Sequence, residues 1–136
     1  FPVAQAITTP DAMGVCLVKP QFEAGREKVG KNGVVRDPAT HREVLHNAMG
    51  YAAANGFVVR GLDFSPVKGP EGNIEYLMFV QKSTEPAVLD DSAVEQVVAA
   101  SHSTLDRRGI RKKFKCKRSF RYDDLYFAEP RQNFCQ

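Results

Sequence analysis

A chain of 136 residues with 43% hydrophobic composition fits one globular domain, and no run approaches the ~20 consecutive apolar residues that span a bilayer. Three cysteines without a C-x-x-C pair argue against a disulfide framework or a zinc site; with no basic-then-apolar signal segment at the start, a reducing, cytoplasmic setting is the expectation, with no metal. The net charge of +3 hides an asymmetry, since residues 1–106 carry 9 Lys/Arg against 13 Asp/Glu and residues 107–136 carry 10 against 3.

Phe1–Ile7 reads as the end of a helix and Thr8–Ala12 as a turn. Gly14–Val18 is a short apolar run, as in a buried strand, with Cys16 a small buried residue within it. Lys19-Pro20 stops the run, because proline cannot continue a ladder and biases the residue before it to extended geometry. A lysine is thereby held at the carboxyl end of a strand, where ligands bind in open α/β sheets. The loop 19–36 then carries Gly25, Gly30 and Gly33 among Arg26, Lys28 and Lys31.

Asp37 followed by Pro38 reads as an N-cap with proline at the first helical position. Val44, Leu45, Ala48, Met49 and Ala52 give that helix one apolar face, and Asn55-Gly56 ends it. Phe57–Phe64 is β-rich, 65–73 is a loop with two Pro/Gly signals, and Ile74–Gln81 is the next strand. Ser92 with Glu95 suggests a capping box, opening a helix whose stripe is Val94, Val97 and Val98. His41, His46 and His102 are too dispersed for a metal or catalytic site and are expected at the surface.

The phrases LVKPQFEAGREKVGKNGVVRD at 17–37 and GPEGNIEY at 69–76 resemble the TlyA branch, historically labelled hemolysin A, of the FtsJ-like RNA methyltransferases. The resemblance covers roughly residues 1–105. It implies an α/β fold, the carboxyl-terminal half of a Rossmann-like methyltransferase sheet, mixed, with its last strand inserted antiparallel between its two predecessors. It implies S-adenosylmethionine as cofactor, ribosomal RNA or a ribosomal subunit as partner, and methyl transfer to a ribose 2′-hydroxyl. Of the lysine–aspartate–lysine–glutamate set used in this family, Lys19 matches the second lysine and Glu75 the glutamate. The first lysine, the aspartate and the glycine-rich cofactor loop have no match here, and the chain starts without methionine. The expectation is therefore a partial domain that is inactive alone and self-associates through uncovered sheet surface.

Glu23, Arg26, Lys28, Lys31 and Arg36 either approach RNA phosphates or form a solvated loop. Asn73 either shapes the turn before the last strand or touches a ligand. Beyond about residue 106 lies a basic aromatic tail in which Arg107–Arg121 holds nine Lys/Arg, among them Arg111, Lys112, Lys113 and Lys115. Phe114, Phe120, Tyr122, Tyr126 and Phe127 interleave with or follow these cations, a composition that suits single-stranded RNA. An anionic membrane surface, a localisation signal, or a disordered extension without a selected role fit the same composition. Two rivals to the methyltransferase reading follow: a non-catalytic RNA-binding protein that uses the tail, and a membrane-active hemolysin-like protein. No stable membrane association is expected.

Overall fold

Three strands, each bounded by the turn residues that the sequence supplies, organise the computed structural model, which describes residues 1–86 and 89–106. In chain order these residues form α1 (Pro2–Ile7), β1 (Met13–Val18), α2 (Pro20–Glu23), two single 3₁₀ turns (Arg26–Lys28 and Lys31–Gly33), α3 (Pro38–Ala54), β2 (Phe57–Phe64), β3 (Tyr76–Lys82) and α4 (Asp91–Leu105). The sheet order is β1-β3-β2, and β3 runs antiparallel to both neighbours. β1 and β2 therefore run the same way, with the last strand inserted between them as the family resemblance implies.

β3 alternates buried Tyr76, Met78 and Val80 with half-buried Leu77, Phe79 and Gln81, the period of a strand with one covered face. That face packs with Val59 and Leu62 of β2 under α3 and α4, which contribute Val44, Leu45, Ala52, Val94, Val97 and Val98. Burying each large apolar side chain contributes about 1.5–3 kcal/mol. On the other face Met13, Val15 and Leu17 of β1 stay exposed. Cys16 is half-buried rather than buried, and desolvation pushes its thiol up.

α3 starts where the sequence predicts. Asp37 accepts hydrogen bonds from the backbone N–H groups of Ala39 and Thr40 and from the Thr40 hydroxyl. The Thr40 hydroxyl foremost, with those N–H groups, holds the Asp37 carboxyl below its usual range. α4 starts earlier than the capping-box pattern suggests. Asp90 caps it, accepting from Ala93 N at 3.2 Å and from Ser92 Oγ at 2.6 Å. Glu95 does not reach back to the helix start; it pairs with Arg42 of α3 at 3.2 Å. An ionised carboxylate two residues upstream is a stronger acceptor than the serine hydroxyl, which becomes its donor instead.

Candidate active site

The register of β1 on β3 builds the site. Val18 lies opposite Tyr76, so the next residues outward, Lys19 and Glu75, leave the sheet side by side. Lys19 is extended at the N-cap of α2, with Pro20 buried at the first helical position. Its ammonium stands 3.3 Å from Glu75 Oε1, with the lysine side chain 37% exposed and the glutamate 12%. The two residues that the sequence selects for catalysis are thus brought together, one protected and one reachable.

The β2–β3 loop holds Glu75 in place. Ser65 N donates to Glu75 O at 2.8 Å, Gly69 N to Asn73 O at 2.9 Å, and Gly72 N to Gly69 O at 2.9 Å. Gly72 takes φ +95, a conformation that side chains resist. Asn73, 1% exposed, accepts from Val35 N at 3.0 Å and donates to Gly33 O at 2.9 Å. It ties the long basic loop to the loop that carries Glu75, so shaping the turn is its observed role. Gly69 packs flush against the carboxylate: a Cβ there would lie 2.9 Å from Glu75 Oε1. Gly69→Ala is therefore expected to swing the carboxylate away from Lys19. A flexible side-chain end yields more easily than backbone, so the expected stability cost is small, about 1 kcal/mol or less. A thermal melt and a crystal structure of the variant check both halves of this expectation.

The basic loop spreads its cations rather than gathering them on Lys19. Arg26 and Lys31 are exposed, Lys28 pairs with Glu43 of α3, and Arg36 is exposed just before α3. Gln21, Gly25, Arg26 and Gly33 line one open cavity, and the Gln21 Oε1 atom is buried with no donor among the described residues. Such an orphan acceptor costs about 1–3 kcal/mol unless a donor reaches it. Arg36, Lys68, His102 and Asp106 line a second cavity of about 300 Å³. Arg111, Lys112, Lys113 and Lys115 lie outside the described residues.

The expectation of surface histidines fails for His41 and His102. His41 is 0% exposed. Its Nε2 sits 3.2 Å from Val35 O, and its Nδ1 lies 2.9 Å from both Tyr76 Oη and His102 Nε2. His102 Nδ1 lies 2.5 Å from Asp106 Oδ2, and Asp106 Oδ1 accepts from Lys68 Nζ at 2.6 Å. The sequence does carry a signal for this, because His41 falls three and four residues before Val44 and Leu45 on the helix's apolar stripe. His46 is exposed as expected, 3.6 Å from Asp91.

The structure is thus an α/β sheet with a lysine and a glutamate paired at one strand end, flanked by a basic glycine-containing loop. The FtsJ-like methyltransferase model matches residues 2–82, and the chain belongs to that family. It is 42% identical over 111 residues to YqxC of Bacillus subtilis (strain 168), whose name proposes an rRNA methyltransferase, covering 79% of this chain and 40% of that protein. It is 37% identical over 88 residues to the 16S/23S rRNA (cytidine-2′-O)-methyltransferase TlyA of Mycobacterium tuberculosis (strain ATCC 25618 / H37Rv), covering 65% of this chain and 33% of that protein. A solved chain from Streptococcus thermophilus, provisionally named a hemolysin, superposes with a TM-score of 0.73 at 42% identity, covering 77% of this chain and 38% of that one. The chain thus spans about a third to two fifths of the length of these relatives.

Proposed function

We propose that residues 1–105 supply part of the catalytic centre of an S-adenosylmethionine-dependent ribose 2′-O-methyltransferase acting on ribosomal RNA. The Lys19–Glu75 pair at 3.3 Å carries this reading. A ribose hydroxyl is a poor nucleophile, so alignment and a positioned proton acceptor do most of the work. Glu75 holds the Lys19 ammonium over the strand end, and this half-exposed group can accept a proton from an incoming hydroxyl only after it has given up its own. Arg26, Lys31 and Arg36 lie exposed along the loop to meet phosphates of the same strand.

S-adenosylmethionine would supply the methyl group. The two cavities described above do not fit it. Neither cavity offers a carboxylate free to take the ribose hydroxyls of the cofactor: the one beside Gln21 has none, and the Asp106 of the other is engaged by Lys68 and His102. A cationic rim also disfavours a sulfonium. The cradle for the cofactor, with the first lysine and the aspartate of the family's set, is therefore assigned to residues other than 1–86 and 89–106, and the chain alone is expected not to transfer methyl groups. A chimera in which residues 1–105 replace the matching segment of YqxC tests this against the isolated chain. Methyl transfer to rRNA by the chimera alone supports the reading; transfer by the isolated chain, or by a chimera carrying Lys19→Ala at full rate, sinks it.

A second, compatible role rests on the charge boundary at residue 106: residues 107–136 hold 10 Lys/Arg against 3 Asp/Glu and add RNA affinity without sequence readout. Truncation after Asp106 is expected to weaken RNA binding and to flatten its log–log salt slope. The change should be about 0.7 for each single-strand phosphate that the tail neutralises in the full chain. Filter binding between low and moderate salt measures it; an unchanged slope removes the tail from the interface. Among the described residues no helix is long and apolar enough to cross a membrane.

A further inference from the structure

We propose that the cavity between residues 34–36, the β2–β3 loop and the end of α4 binds an oxyanion of the phosphate class, held by the Arg36 guanidinium and attracted by the positive charge that a proton shared between His41 and His102 places at the cavity wall. The outer ends of the imidazole pair fix where its hydrogens sit. His41 Nε2 faces the Val35 carbonyl at 3.2 Å, and a carbonyl only accepts, so that nitrogen carries hydrogen. His102 Nδ1 faces the Asp106 carboxylate at 2.5 Å. Partial burial opposes ionisation of Asp106, but hydrogen bonds from Lys68 and His102 outweigh it and hold the carboxyl below its usual range. An ionised carboxylate also only accepts, so His102 Nδ1 carries hydrogen too.

Both outer nitrogens are thereby occupied. The inner ones, His41 Nδ1 and His102 Nε2, face each other at 2.9 Å. Two neutral rings would oppose two lone pairs at that distance. One additional proton turns the repulsion into a hydrogen bond and gives the pair a single positive charge. Tyr76 does not remove the need for it. Burial raises its phenol to about 12, so it keeps its hydrogen, which can go to Ser101 Oγ at 3.0 Å or to His41 Nδ1. Neither choice supplies a donor to His102 Nε2. A second proton is refused: burial and then the charge on His102 lower His41 to about 4.

The charge has an outlet. His102 lines the cavity of about 300 Å³ together with Val35, Arg36, Lys68, Ile74 and Asp106. Among the described residues Asp106 is the one acid lining it, and both its oxygens are engaged, Oδ1 by Lys68 and Oδ2 by His102. Arg36 has no ion-pair partner among the described residues, and the adjacent Asp37 carboxylate is committed to capping α3. Cations from three separate segments thus meet one engaged carboxylate around a space of a size that suits a tetrahedral oxyanion. The RNA backbone and a small free phosphate present the same chemistry. The choice between them rests on the proposed methyltransferase reading, whereas the oxyanion site does not.

The test uses the full chain and long-range nitrogen–proton spectra of its imidazoles. Inorganic sulfate is the first probe, because its charge does not change between pH 6 and pH 9. The expected result is three ring protons on the His41–His102 pair near pH 6 and a saturable movement of the His102 signals with sulfate. Affinity is expected to drop about tenfold on raising the pH to 9, and about tenfold in Arg36→Gln at pH 6, the size of one charge-assisted contact. Arg36 is exposed, so the variant leaves the core intact, and the pH series needs no variant. Tetracytidylate is the second probe: competition with sulfate at His102 makes backbone phosphates the source, and its absence makes a small free oxyanion the source. No saturable movement, or an affinity indifferent to both pH and Arg36, overturns the site.

Discussion

Lys19→Met in a complete enzyme built around this segment is expected to lower methyl transfer by roughly 10²–10⁴-fold, the range that a positioned proton acceptor contributes. Methionine keeps the length of the stem and removes the amine, and the lysine side chain is 37% exposed, so folding should be unaffected. RNA affinity should change little, because the loss concerns one residue among several cations. Glu75→Gln should act in the same direction but less, since the amide keeps an oxygen near Lys19 while losing the charge that orients it. Single-turnover rates and filter binding on the same preparations separate the two effects. A loss of binding equal to the loss of rate would make Lys19 a phosphate contact instead.

Acid is expected to destabilise the chain through His41 before its carboxylates are titrated. His41 is buried, and burial foremost, then the charge on His102, lowers it from 6.5 to about 4. Between those values the unfolded chain binds a proton that the folded chain refuses, so the His41 contribution to stability is full above about pH 6.5 and falls as the pH drops toward 4. The loss integrates to a size on the order of 3 kcal/mol. Asp37, Asp90 and Asp106 are all held low, and their contributions vanish only on further acidification, which separates the two windows. Urea unfolding at several pH values reads the slope. In His41→Gln the slope between pH 6.5 and 4 should flatten; a slope that persists assigns the effect elsewhere.

Local chemistry makes much of this fold legible. The proline after Lys19, the Asp37-Pro38 start and the Asn55-Gly56 stop each force a boundary through backbone constraint alone, and β1, α3 and β2 lie within a residue or so of where those signals place them. The insertion of β3 between its predecessors comes from the family resemblance and not from periodicity, which carries no information about strand order. The pairing of Lys19 with Glu75 needs that order and is legible only through it. What stays hidden are contacts between distant segments. Asn73 reads as a turn former, and nothing near it in sequence reveals that it grips Gly33 and Val35. His41 reads as a surface residue because a histidine is weighted as polar, although its position on the apolar stripe of α3 assigns it to the core. Ser92 reads as the cap of α4 because serine and glutamate at that spacing imitate a capping box, while the aspartate two residues earlier is the stronger acceptor.

The antiparallel register makes the distance between Lys19 and Glu75 independent of everything that lies between them along the chain. Insertions at the exposed turn after α3 would lengthen the path without moving either residue, so that segment is free to drift or to be engineered. A single residue added inside β3 is different. It would shift one flank of the strand by one position against its neighbours, so that either Glu75 leaves Lys19 or the buried face beyond the insertion turns outward. The pairing of Lys19 with Glu75 and the packing of the core thus both depend on the register of the seven-residue strand that Glu75 immediately precedes.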